Sequence, residues 1–187
     1  MLKTVLNYSL TISLLGALQV LSAAPVSIGS AILNGANETP PTGSPASGFA
    51  ALTLNGDILS LTLTYSGIVG GAPSAAHIHC CTAPGTNTGV TVGFPGFPTT
   101  TSGSYTNTFD LTQTTVYTLA FLNSNGGTAA GAEAALLFGL RNGTAYVNIH
   151  DATFPGGEIR GFVVPEPTTV ALAGLGLGLL ALARRRR

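Results

Sequence analysis

Charge is what this chain lacks most. Charged residues make up 7% of its 187 residues. Five of the seven Lys and Arg residues, Lys3 with Arg184, Arg185, Arg186 and Arg187, sit at the two ends. Between residues 25 and 164 only Arg141 and Arg160 remain, against Glu38, Asp57, Asp110, Glu133, Asp151 and Glu158, a balance of two minus six, or −4. Lysine is absent from this stretch. Binding a phosphate backbone needs several cations, so nucleic acid is excluded as a partner. The short signatures of catalysis are missing as well: no GxSxG, no HExxH and no phosphate-binding glycine loop. Asp151 and Glu158 are the nearest thing to a paired-carboxylate site for glycoside chemistry, but they belong to one hairpin, where turns commonly place acids. The middle of the chain reads as non-enzymatic. What is there instead is Thr, Ser, Asn and Gly in quantity, the composition of an extracellular β-rich domain.

The ends carry targeting information. Lys3 precedes an uncharged, mostly apolar run from Tyr8 to Leu21, followed by small residues Ser22, Ala23 and Ala24. That order predicts a secretory signal peptide over residues 1–24. At the other end, Thr168 to Ala183 carries no charge. As a helix it would reach about 24 Å at ~1.5 Å per residue, short of the ~30 Å hydrocarbon core. It predicts a short transmembrane helix, with Arg184, Arg185, Arg186 and Arg187 left on the cytoplasmic side. Gly174 and Gly178 form a GxxxG pair, read as small-residue composition. The three features Pro165-Glu166-Pro167, apolar stretch and terminal arginines resemble a PEP-CTERM sorting signal over residues 165–187. The resemblance implies a Gram-negative bacterium, recognition by an exosortase-type protease, passage through the inner membrane, and a final place in the envelope, on the outer surface or in an exopolysaccharide matrix.

Residues 25–164 are enough chain for one domain. Period-two alternation dominates, so strands are expected. Leu59, Leu61, Leu63 and Tyr65 alternate with Ser60, Thr62, Thr64 and Ser66. Asn55-Gly56 is a turn signal and makes residues 47–66 a hairpin. Val26–Leu33 is a first strand, and the proline-rich run from Asn37 a loop. Thr82–Gly103 reads as a long surface loop with a short strand at Val90–Val92. Tyr105–Phe109 is a further strand, and Thr114–Leu122 is ambiguous between helix and strand. The alanine-rich run Gly127–Leu140 is a helix ended by Asn142-Gly143. Strands at "TAYVNIH" and "EIRGFVV" close the domain. The fold class predicted is mainly β: an antiparallel β-sandwich with one short helical insertion, flanked by the N-terminal signal helix and the C-terminal transmembrane helix.

Histidine is rare, and its placement is informative. His77 and His79 alternate with Ala76 and Ile78. Tyr146, Asn148 and His150 alternate with Ala145, Val147 and Ile149. Glu158 and Arg160 oppose Ile159 and Val163. If the apolar sides meet the core, His77, His79, His150, Glu158 and Arg160 share the opposite face, with His150 near Glu158 across the turn. Two readings follow. One is a polar network in which Glu158 accepts from Arg160 and the histidines while Asn148 fills gaps. The other is a single Zn or Cu ion on His77, His79, His150 and Glu158, opposed by the charge of Arg160. Three histidines are too few for a two-metal dismutase centre.

"LNGANETPP", "AAHIH", "AYVNIH" and "FPGGEIRG", in that order, resemble a CHRD domain across Ile28–Val163. The resemblance implies a β-sandwich of immunoglobulin-like or superoxide-dismutase-like shape. Cys80-Cys81 depart from the plainer family form, in which a glycine often follows the second histidine. In an oxidising compartment the pair leaves three alternatives: a vicinal disulfide, an intermolecular bridge, or thiolate ligands beside His79. The sequons at Asn37 and Asn142 are explained by turn composition. The chain therefore reads as an exported surface or matrix protein, a non-enzymatic structural or binding module whose partners are exopolysaccharide or other surface proteins. A Cu/Zn-binding and redox-active protein is the alternative.

Overall fold

The computed structural model describes residues 24–166. The expected signal helix lies outside the described residues. So do the sorting-signal residues Pro167, Arg184, Arg185, Arg186 and Arg187, and the apolar segment Thr168–Ala183 expected to cross the membrane. Among the described residues no helix is long and apolar enough to cross a membrane.

Nine strands form one antiparallel sheet: β1 (Val26–Asn34), β2 (Ser47–Asn55), β3 (Ile58–Ser66), β4 (Ala75–Cys80), β5 (Val90–Gly93), β6 (Gly103–Asp110), β7 (Ala145–His150), β8 (Ile159–Phe162) and β9 (Val164–Pro165). Their order is β5-β4-β7-β8-β1-β2-β3-β6, with β9 paired to β1. The expected two-sheet sandwich is thus corrected to a single curled sheet. The physical reason lies in the core. Leu59, Leu61 and Leu63 of β3 share one buried cluster with Ile78 of β4 and with Val147 and Ile149 of β7, although β3 and β7 are separated in the sheet by three strands. Only a sheet wrapped around its own apolar face brings them together.

The alternation in β3 holds as the sequence implies, with Leu59, Leu61 and Leu63 fully buried. In the hairpin, Asn55 pairs with Ile58. The two-residue turn is therefore Gly56-Asp57, one position later than the Asn55-Gly56 signal, with Gly56 at φ 58°. Two helices, not one, separate β6 from β7: α1 (Leu119–Ser124) and α2 (Ala129–Arg141). Thr118 and Thr128 cap them, accepting from the amides of Phe121 and Gly131. Ala132, Leu136 and Leu140, spaced by four, put one face of α2 into the core. Gly143 follows α2 at φ 68°. The region 82–103 is less of a surface loop than its Pro and Gly content implies: Phe94 is buried and stacks on Tyr105 at 5.3 Å. Large aromatic rings gain too much from burial to stay in solvent.

Gly161 of β8 lies close against the backbone of β1. A Cβ there would stand 2.5 Å from the Ile32 carbonyl oxygen. Gly161→Ala is expected to destabilise the chain by about 1–3 kcal/mol. Gly156→Ala, in open space, should stay within about 0.5 kcal/mol. Urea unfolding of the two variants compares them.

Candidate metal centre

β4 lies directly beside β7, the adjacency that a shared histidine face requires. Their register pairs Ala75 with His150, His77 with Asn148 and His79 with Tyr146. Ala76, Ile78, Val147 and Ile149 point into the core, so the imidazoles project from the outer face. That face is not open to solvent: every residue of β7 is buried. The segments 37–42 and 86–88 and the turn 151–157 contribute side chains or carbonyls against it.

The three rings stand close together. Centroid separations are 5.0 Å for His77–His150, 5.7 Å for His77–His79 and 5.8 Å for His79–His150. One ring nitrogen from each lies within 4.8 Å of the other two. His79 Nδ1 is 2.9 Å from the Thr88 carbonyl oxygen, and His150 Nδ1 is 3.0 Å from that of Pro155. A carbonyl only accepts, so both Nδ1 atoms carry the proton and both Nε2 atoms carry a lone pair. His79 Nε2, His150 Nε2 and His77 Nδ1 are buried without a hydrogen-bond partner. A ring whose far nitrogen is held by a carbonyl while the near one is free has the arrangement of a metal-ligating histidine.

Electrostatics keep the rings neutral. Burial, then the neighbouring His150 and His79, lowers His77 from its ordinary 6.5 to about 4. Burial lowers His79 to about 4 against the raising effect of the Thr88 carbonyl. His150 is lowered by burial in the same way. Neutral imidazole is the form that binds metal. The neighbouring cation is compensated. The Arg160 guanidinium meets Glu38 Oε2 through Nε at 2.6 Å and through a second nitrogen at 2.5 Å. It also donates to Asn87 Oδ1 at 2.7 Å. Its Cζ lies 4.7 Å from the centroid of the Tyr146 ring, which stacks on His79 at 4.7 Å and 2°. Asn148 donates to Glu38 Oε1 at 2.5 Å and to the Ile159 carbonyl at 3.0 Å.

Glu158, expected as a fourth ligand, goes elsewhere. It accepts from Ser44 Oγ at 2.5 Å and from the amides of Val69 and Gly70 at 2.9 and 3.0 Å, and the Asp151 carboxyl lies beside it. The chain leaves regular strand geometry at Gly157, whose φ is 124°, and Glu158 no longer follows the alternation of β8. Burial raises the Asp151 carboxyl above its ordinary value. Glu158 is raised by burial but pulled net below its ordinary value by the hydrogen bonds it accepts. Cys80 and Cys81 are joined in a disulfide on the side of β4 facing α2, opposite His79. Of the sorting-signal residues, Pro165 is in β9 and Glu166 directly follows it. Sequence reasoning missed Glu38, Thr88 and Tyr146 as parts of the site. For Tyr146 the signal was present, since it alternates with Val147. Glu38 and Thr88 come from loops, where no periodicity points anywhere.

A curled antiparallel sheet with two short helical insertions and a histidine cluster on its outer face defines a mainly β domain. The chain belongs to the CHRD domain family, whose model matches residues 29–163. Residues 163–187, which include Arg184, Arg185, Arg186 and Arg187, match the PEP-CTERM protein-sorting motif. That motif marks an exported envelope protein recognised by an exosortase. No curated protein and no solved structure matches the chain.

Two outcomes are expected. Glu38→Ala leaves Arg160, 1% exposed, buried without its partner and should destabilise by about 3–5 kcal/mol in urea unfolding. The second concerns pH. The folded histidines resist protons that the unfolded chain takes up below its ordinary 6.5, so stability is present above 6.5 and is lost as pH falls towards about 4. A His77→Asn, His79→Asn, His150→Asn variant should show a flatter stability–pH curve through that window.

Proposed function

We propose that this exported protein carries a mononuclear transition-metal site, with His77, His79 and His150 as the ligands. The observation that supports it is a set of three neutral imidazoles, His79 and His150 buried and His77 half-buried, whose buried, partnerless ring nitrogens converge. A purely hydrogen-bonded network would leave no such orphans. An all-nitrogen set suits zinc or copper. Three protein ligands leave a fourth position, and a cleft of about 600 Å³ reaches His77 past Gly93, Phe94 and Tyr117. Zinc would tie β4 to β7 across the outer face of the sheet. Copper would add one-electron chemistry.

Around this centre the domain is a non-enzymatic binding module of the cell surface or the exopolysaccharide matrix. Matrix glycan or other surface proteins are its partners. The support for that placement is the class of sorting signal.

Elemental analysis of the purified full-length chain is expected to find one equivalent of zinc or copper, lost in a His77→Ala, His79→Ala variant. Metal at about 100 times its dissociation constant should stabilise the wild type by ~2.7 kcal/mol and the variant by nothing. A metal-free chain with the same melting temperature in chelator and in added metal would refute the site.

A further inference from the structure

The Cys80–Cys81 disulfide lies in the wall of a second cavity, of about 470 Å³, between α1, α2 and β5. Phe121, Ala135 and Phe138 give it apolar walls, and Ser124 and Asn125 a polar edge. The two sulfurs differ in access: Cys80 is 4% exposed, whereas Cys81 is exposed to solvent. Helix α2 is shaped to receive the pair. A methyl group at Gly139 would overlap both sulfurs, so this turn of the helix presents bare backbone. The Ala135 carbonyl oxygen stands 3.3 Å from Cys81 Sγ and 3.8 Å from Cys80 Sγ. In the disulfide neither sulfur has a proton to give it. In a dithiol both would.

We propose that this disulfide is a thiol-exchange site, and that the cavity admits a low-molecular-weight thiol to it. The thiolate of the incoming molecule attacks Cys81 Sγ, the only sulfur of the pair that solvent reaches freely. The new S–S bond forms on Cys81 as the Cys80–Cys81 bond breaks. The electron pair leaves on Cys80 Sγ, which takes a proton from water and donates it towards the Ala135 carbonyl. A second thiolate then attacks the adduct sulfur. It releases the small-molecule disulfide and leaves the Cys81 thiol, protonated in turn. The net change is two thiols oxidised to one disulfide and the protein disulfide reduced to two thiols. Exchange of this kind is governed by access and by which sulfur is attacked, and both are fixed here by the cavity. Cys80 leaves β4 on the side opposite His79, the cavity shares Thr88 with the surroundings of the histidine cluster, and the exchange step uses no metal.

The test uses the full-length chain with glutathione as probe, followed by intact mass, peptide mapping and circular dichroism. The expected result is a single adduct on Cys81 in the folded protein, then the dithiol, at a rate insensitive to low urea. Ala120→Trp, which fills the cavity from an exposed position of α1, should slow adduct formation by about tenfold through lost access. A rate that tracks global unfolding across a urea series would overturn the site, whether or not the tryptophan variant folds. So would an adduct on Cys80, or a folded tryptophan variant that reacts as fast as the wild type.

Discussion

The outer face of β7 is polar and yet buried, and the rest of the site follows from that constraint. Tyr146, Asn148 and His150 face away from the core but are covered by chain. A buried polar group without a partner costs far more than a formed hydrogen bond gains, so the covering loops must supply partners. They do so mainly with backbone carbonyls and one acid: Thr88 and Pro155 for the imidazoles, Glu38 for Asn148 and Arg160. Carbonyls can only accept. They fix the Nδ1–H tautomer of two rings and leave the opposite nitrogens with nothing to bind within the protein.

The polar groups separate into two independent systems. One holds the buried cation Arg160, balanced by Glu38, steadied by Asn87 and laid over Tyr146. That pairing lets a cation sit beside three rings that must stay neutral. The other is the Asp151–Glu158 carboxyl pair, bound to Ser44 and to the amides of Val69 and Gly70. Gly157 is the point of division. Its backbone turns the chain just before Glu158, and a side chain there would collide with Asn148 and Glu38.

The curl of the sheet explains how a domain with so few charges encloses two such systems. Wrapping the apolar face around itself lets strands from both halves of the sheet share one core with α2. The apolar interior is then complete without help from the histidine face. That face is free to be covered by loops carrying polar atoms, and β4 can present His79 outward and Cys80 inward from adjacent positions.

Alternation along the strands was enough to place the buried leucines of β3 and the common side of His77, His79 and His150, while the kinship with CHRD domains rested on a resemblance carried by the motifs "LNGANETPP", "AAHIH", "AYVNIH" and "FPGGEIRG" in that order. These are local properties: a period of two needs only neighbouring residues, and the Gly and Asn turns need only their own backbone freedom. The sorting signal is local in the same sense, since Pro165, Glu166 and Pro167, an uncharged run and the closing arginines are read in order along the chain. Four things were decided by the folded chain alone. They are one curled sheet in place of two, a second short helix at Leu119–Ser124, the departure of Glu158 from the histidines, and the recruitment of Glu38 to Arg160 across 122 positions. Each depends on groups far apart in sequence meeting under loops. There the partner is chosen by which buried polar atom would otherwise go unsatisfied, and no repeat along the chain records that choice.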